Sequence, residues 1–258
     1  MKGKGIIAML LVMGLVVAGC SNDDPLTPQD EISYVPNNKD GTEMLGEIVI
    51  ADVSGIVDGG VGMVGVETGI LDIEVPAGAT VEQVLLYWMG GSTNDVGDDT
   101  IEIDGTPVTG ALIGGPTLFY GVTDFYAYRA DITDLGLVVP GANSFEISGF
   151  DFVNEGSSAH DENNGAGILA IYDDGTLADL QLFDGLDMAF FKFSPTLDAT
   201  APVTFDFAAE DADRVANFCV LAGSVGENRP NRIVVTTSAG DQVFENPLGS
   251  FDGLLFDA

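Results

Sequence analysis

Short apolar runs, each closed by Gly, Asp-Gly, Pro-Gly or an Asn cluster, follow one another from Glu47 to the end of the chain. The periods inside them are those of strands. In TIEIDG, Ile101 and Ile103 fall on one face and Glu102 on the other. Asp104-Gly105 then supplies a two-residue hairpin turn, where positive φ suits glycine. In VTFDFA, Val203, Phe205 and Phe207 alternate with Thr204 and Asp206. GILAIYDDG is apolar without a break up to its turn, the pattern of a strand in the middle of a packed sandwich. No segment of useful length carries a helical period. The pattern predicts strands over 47–53, 66–75, 80–90, 100–104, 107–113, 119–132, 143–151, 166–173, 178–193, 202–209, 215–225 and 231–237. Many short strands, turns about every 8–12 residues and 34 glycines predict an all-β fold, an antiparallel β-sandwich of jelly-roll type. No linker interrupts residues 47–258, which are read as one domain.

The first 46 residues follow other rules. MKGKGIIAMLLVMGLVVAGC carries Lys2 and Lys4, an apolar stretch from Ile6 to Ala18, small residues, and then Cys20. About 13 apolar residues are too few to cross a ~30 Å hydrocarbon core but suit the h-region of a signal peptide. Val17-Ala18-Gly19-Cys20 resembles the lipobox of bacterial lipoproteins. That resemblance implies cleavage before Cys20, diacylation of the Cys20 thiol and acylation of the new amino terminus, and several acyl chains anchor where one does not. Without it, the same residues read as a plain cleaved signal peptide with an incidental cysteine. Ser21 after the cysteine implies outer rather than inner membrane, for a Gram-negative source. Residues 1–19 are thus read as a lipoprotein signal peptide and 20–46 as the lipidated cysteine with its tether. Residues 21–45, rich in Asp, Asn and Pro, would as a random coil reach roughly 25–30 Å from the membrane.

Charge narrows the partners. The 258 residues include 41 acids and 8 bases, a net charge of −33. Removing Lys2 and Lys4 with the leader leaves 6 bases against 41 acids, a net charge of −35. No basic patch exists to meet phosphates, so nucleic acid is excluded as a natural partner, and anionic lipid surfaces repel the chain. Disorder is excluded as well, because 46% of the residues are hydrophobic and 15 Phe and 6 Tyr can build a core. The acids then form a self-repelling shell, tolerable in high salt or with bound divalent cations.

Candidate chemistry is sparse. Gly60-Val61-Gly62-Met63-Val64-Gly65 fits G-x-G-x-x-G, but VETGILDIEVP after it reads as strand where a nucleotide site needs a helix. A Gly-rich strand or bulge is the expectation. His160, the one histidine, stands near Ser157, Ser158 and Asp161, but adjacency along a loop is not triad geometry. It is read as an exposed loop residue. Neither G-x-S-x-G nor H-E-x-x-H occurs, and zinc ligands are too few. With 41 acids some carboxylate pair lies at any separation, so glycoside hydrolysis is neither selected nor removed. Calcium is the best-supported metal, through hard oxygens in three loops: Asn94, Asp95, Asp98 and Asp99; Asp161, Glu162, Asn163 and Asn164; and Glu210, Asp211 and Asp213. None fits the EF-hand spacing, and plain solvated loops explain the same clusters. Cys219, in ANFCVLAG, is expected as a small buried hydrophobe. In FYAYRADI, Tyr126 and Tyr128 share a face expected to point into the core, and the face of Phe125, Ala127, Arg129 and Asp131 is expected to be the wet one. Trp88 is expected in the core.

VPAGATVEQVLLYWMGG, DDTIEIDGTPVTG, FYAYRADITDL, NSFEISGF, NNGAGILAIYDDG and ADLQLFDGLD occur in that order. Over roughly residues 70–255 this resembles the secreted β-sandwich modules of bacterial and archaeal surface proteins, often found beside adhesin-like repeats. The resemblance implies a fold and a surface location but no catalytic residue. In such modules the chain continues past a segment like GSFDGLLFDA into another strand, so truncation near Ala258 is an expectation. The reading is a non-enzymatic, lipid-anchored envelope protein acting in adhesion, matrix organisation or ligand binding, with a surface glycan or protein as partner and calcium as a stabilising ion. A structural envelope scaffold and a surface polysaccharide hydrolase are the alternatives.

Overall fold

In a computed structural model, the described residues are 5–11, 45–92, 97–120, 123–152, 162–190, 193, 195, 197–207, 216–225, 230–248 and 255–257. They form strands β1 (Gly5–Leu11), β2 (Leu45–Val53), β3 (Gly55–Val61), β4 (Gly69–Val75), β5 (Thr80–Ser92), β6 (Thr100–Ile103), β7 (Thr106–Thr109) and β8 (Ala111–Tyr120). They continue with β9 (Thr123–Asp131), β10 (Gly141–Ser148), β11 (Glu162–Asp173), β12 (Ala178–Asp184), β13 (Ala216–Val225), β14 (Arg232–Thr237), β15 (Gly240–Glu245) and β16 (Leu255–Asp257). One 3₁₀ turn, Thr133–Leu135, is the helical element among the described residues. The described residues form an all-β sandwich of sheets packed against one another, antiparallel except where β1 runs parallel to β12 and β13, and the all-β class is the one the strand pattern predicts.

The sheets stack three deep, which explains why some strands alternate and others do not. The central sheet has the order β3-β11-β5-β9-β8 and is antiparallel throughout. One face of it, with Val84, Leu86 and Trp88 of β5 and Ile168 of β11, packs on the sheet β4-β10-β6-β7 through Leu71, Ile73, Ile101, Phe145 and Ile147. The other face, with Leu85, Tyr87, Met89, Leu169 and Ile171, packs on a sheet ordered β16-β13-β1-β12-β2 through Leu180, Leu182 and Leu221. A sheet covered on both faces needs apolar side chains at every position. Hence the last nine residues of β5 are all buried, as is GILAI of β11. The outer strands β4 and β10 bury every second residue, with Asp72, Glu74, Ser144 and Glu146 on their wet face.

This layering corrects one expectation. Tyr126 and Tyr128 are in the core, as is Trp88. But the face of β9 expected to be wet is so only at Asp131: Phe125 and Ala127 belong to the second core, and the half-buried Arg129 reaches a buried acid there. The charge of Arg129 marks a buried partner rather than water.

Turn chemistry follows the sequence. Asp104 and Gly105 both take positive φ, 48° and 71°, closing the β6–β7 hairpin. The Gly-rich segment at 60–65 leaves strand β3 and leads to strand β4, with no helix after it. Gly165 has φ 116°, and an added Cβ there would lie 2.0 Å from the Val61 carbonyl oxygen, so a β-bulge in β11 is reserved for glycine.

Strand bounds differ from the pattern in places: β3 lies outside the expected ranges, 119–132 joins the end of β8 to β9, and 178–193 runs past the end of β12 at Asp184. Two further stretches change character. VTFDF, residues 203–207, is not a strand. It covers the outside of β12, where Gln181 exchanges hydrogen bonds with the Asp206 backbone and Phe205 meets Phe183 edge-on at 5.2 Å. Its alternation reports a covered face rather than a ladder. Conversely, SAGDQVFEN contains β15, which pairs with β14 in a two-stranded hairpin carrying exposed Val234, Val243 and Phe244.

Candidate functional site

Register brings the described start of one acidic cluster, Glu162 and Asn163, to the end of the central sheet where β5 stops. Glu162 opposes Gly91, and Ser92 opposes Asp124, so β5 ends where β11 begins. Asp98 is at this end, buried at 5% exposure. Its carboxylate accepts the N–H of Asp151 at 2.7 Å and of Thr100 at 3.3 Å, and its carbonyl accepts the Trp88 indole N–H at 2.8 Å. Burial pushes its carboxyl above the ordinary range, partly opposed by those two N–H donors. Asp98 thereby ties the turn at Asp151 and the start of β6 to the centre of the sheet.

Asp99 is exposed beside it and accepts the Thr100 hydroxyl at 3.0 Å. Asn163 is buried and accepts the Gly165 N–H at 3.1 Å, which holds the bulge. Asn164 is also buried, and Glu162 begins the strand. Asp95, Asp161, Asp211 and Asp213, like Asn94, Glu210, His160 and Cys20, lie outside the described residues. Among the described residues no three His, Cys, Asp or Glu side chains are grouped to hold a metal.

The densest polar cluster is one that the strand pattern contained and motif reading missed. Along β12, Ala178, Leu180, Leu182 and Asp184 point inward. Along β9, Phe125, Ala127 and Arg129 point toward the same interior. Arg129 donates to Asp184, whose side chain is fully buried while that of Arg129 is 25% exposed. Tyr87 donates its hydroxyl to the same carboxylate oxygen at 3.3 Å. The other Asp184 oxygen has no hydrogen-bond partner among the described residues. Burial raises the Asp184 carboxyl above its ordinary value, against the opposing pull of Arg129 and Tyr87. Arg129 is one of two bases among the described residues, the other being Arg232, and it is committed to the interior. Across the same layer, the Cys219 thiol donates to Asp58 of β3, so the cysteine is buried as expected but has an acid for a partner. Burial raises the Asp58 carboxyl, with the thiol's hydrogen bond pulling it down, and burial also raises the thiol. A thiol held protonated is a poor nucleophile.

Two buried carboxyls, Asp98 and Asp184, and the half-buried Asp58 therefore bind their protons more tightly folded than unfolded. Their contribution to stability is full below the unfolded value near 3.8 and is lost as pH rises through each higher folded value. Asp173 and Asp174 go the other way. Asp173 is held low by the Gly175 N–H and the Ser54 hydroxyl, and Asp174 first by the Thr176 hydroxyl. These two are at the surface, where such bonds are worth little. Self-repulsion at a net charge of −33 adds to the same slope. The melting midpoint is expected to rise as pH is lowered from neutral toward the unfolded value near 3.8, and to rise when ~1 M NaCl screens the shell. A fall in both scans would contradict this assignment.

Comparison with known proteins finds no family model, no curated protein and no solved structure that matches the chain.

Proposed function

We propose that this chain is a lipid-anchored protein of the bacterial envelope, held through Cys20 and presenting a non-enzymatic, strongly anionic β-sandwich for adhesion, matrix organisation or ligand binding. The observation that carries the reading is Val17-Ala18-Gly19-Cys20 at the end of the apolar stretch, followed at once by an acidic, Pro-containing segment. The use of the polar interior supports it. Asp98 is engaged by backbone N–H groups and Asp184 by Arg129, so both serve the fold. The exposed Val234, Val243 and Phe244 of the β14–β15 hairpin offer an apolar surface to a protein or glycan partner.

Fractionation of cells tests the anchor. The wild-type chain is expected with the outer membrane, and the Cys20→Ala variant in the soluble fraction. A variant that stays with the membrane would remove the reading. Calcium belongs to the same proposal, held by loop oxygens at the end of the central sheet with Asp99 among them. The midpoint of thermal unfolding is expected to rise by several degrees in millimolar Ca²⁺ and to fall back with EGTA. An unchanged midpoint would end the calcium proposal and leave the anchor standing.

A further inference from the structure

The leader segment has a place in the fold. Strand β1, GIIAMLL, lies between β12 and β13 as the middle strand of its sheet, parallel to both. Its register runs from Gly5 opposite Ala178 to Leu10 opposite Phe183, and from Ile6 opposite Ala216 to Leu11 opposite Leu221. The neighbouring positions on one face, Leu180, Leu182, Cys219 and Leu221, belong to the core. On the other face, Phe205 bridges Phe183 and Phe218 at 5.2 and 6.1 Å. A strand in this place is flanked by apolar groups on both faces and by a ladder on both edges, which is why a run with neither charge nor proline suits it.

Cleavage before Cys20 removes this strand. The inference rests on that reading of the leader. It leaves β12 and β13 facing each other across about 9–10 Å, two strand spacings, with two rows of backbone groups unpaired. The segment 20–44 is poorly made to replace it. Pro25, Pro28 and Pro36 and its acids leave Ile32–Val35 as the longest run without charge or proline, against the seven residues of β1. The other edge of β13 already carries β16.

We propose that, in the processed protein, the space between β12 and β13 is a binding slot for a strand donated by another polypeptide. The donor is an extended segment of six or seven apolar residues, free of charge and proline, entering parallel to both edges. Main-chain bonds to two edges supply the affinity, and the covered faces supply the selection for apolar side chains. The sandwich then joins its neighbour by completing a sheet.

The test uses the unprocessed chain, made in a cytoplasm without export, with a protease site inserted among residues 21–44. After cutting, the leader fragment is expected to stay bound on gel filtration. It is expected to exchange, one per chain, with a labelled synthetic peptide MKGKGIIAMLL. The same peptide with Ala8→Pro, which removes a ladder N–H from the middle of the strand, is expected to bind about tenfold more weakly or not at all. Two results would overturn the proposal. In one, the fragment leaves and the amides of β12 and β13 keep the hydrogen-exchange protection of the uncut chain, so the sheet has closed. In the other, protection appears at Ile32–Val35, so the chain's own segment fills the slot. Neither depends on lipidation of Cys20, so failure here is distinct from failure of the anchor.

Discussion

Arg129→Met is expected to destabilise the protein by about 3–5 kcal/mol, because it leaves the buried Asp184 carboxylate without its counter-charge. The Tyr87 hydroxyl then remains the one donor to that carboxylate, at 3.3 Å. Replacing both partners, Arg129→Leu with Asp184→Leu, is expected to restore most of the loss, since two apolar groups need no counter-charge and the surrounding Leu182 and Ala127 already form an apolar wall. Denaturant unfolding of the three proteins reads this directly. A double variant as unstable as the single one would mean that the pair is held by shape rather than by charge.

Trp88→Ala carries the other large effect, again about 3–5 kcal/mol. Trp88 is fully buried between the central sheet and the β4-β10-β6-β7 sheet, and its ring stacks on Tyr128 with centroids 5.6 Å apart. Truncation empties that volume, and the surrounding strands, held by ladders on both sides, can collapse only partly. The indole also donates to the Asp98 carbonyl, so Trp88→Phe is expected to lose about 1–3 kcal/mol by stranding that acceptor while keeping most of the ring. Phe equal to wild type would mean the bond to Asp98 is immaterial. Ala within 1 kcal/mol of wild type, on the scale of ordinary surface substitutions, would contradict the two-core packing.

Much of this architecture is written in the alternation of apolar residues. The unbroken runs of β5 and β11 mark strands covered on both faces, and the clean period of β4 and β10 marks strands with one wet face. The third layer was harder to see. Its middle strand, Gly5–Leu11, carries the composition of an export signal, and one run cannot be told from the other by hydropathy. VTFDF shows that alternation needs only a covered face, not a ladder. The Arg129–Asp184 pair was legible in principle. Phase along β9 and β12 puts one base and one acid at inward positions, and in a chain with eight bases an inward base needs an acid near it. It was missed because motif reading looks along the chain, and these residues meet across 55 positions. The acidic loops show the reverse. Their composition suggests a cation site, yet Asp98 is engaged by backbone N–H groups, which only a three-dimensional arrangement reveals.

Under the proposed reading, acylation at Cys20 would set both where the protein acts and which strand leaves its sheet. The most direct measurement is the mass of the N-terminal peptide of the protein isolated from cells. A peptide beginning at Cys20 and carrying a diacylglyceryl group on sulfur with an acyl chain on its amino group is expected. A peptide that retains residues 1–19, or one in which Cys20 bears a free thiol, would contradict it.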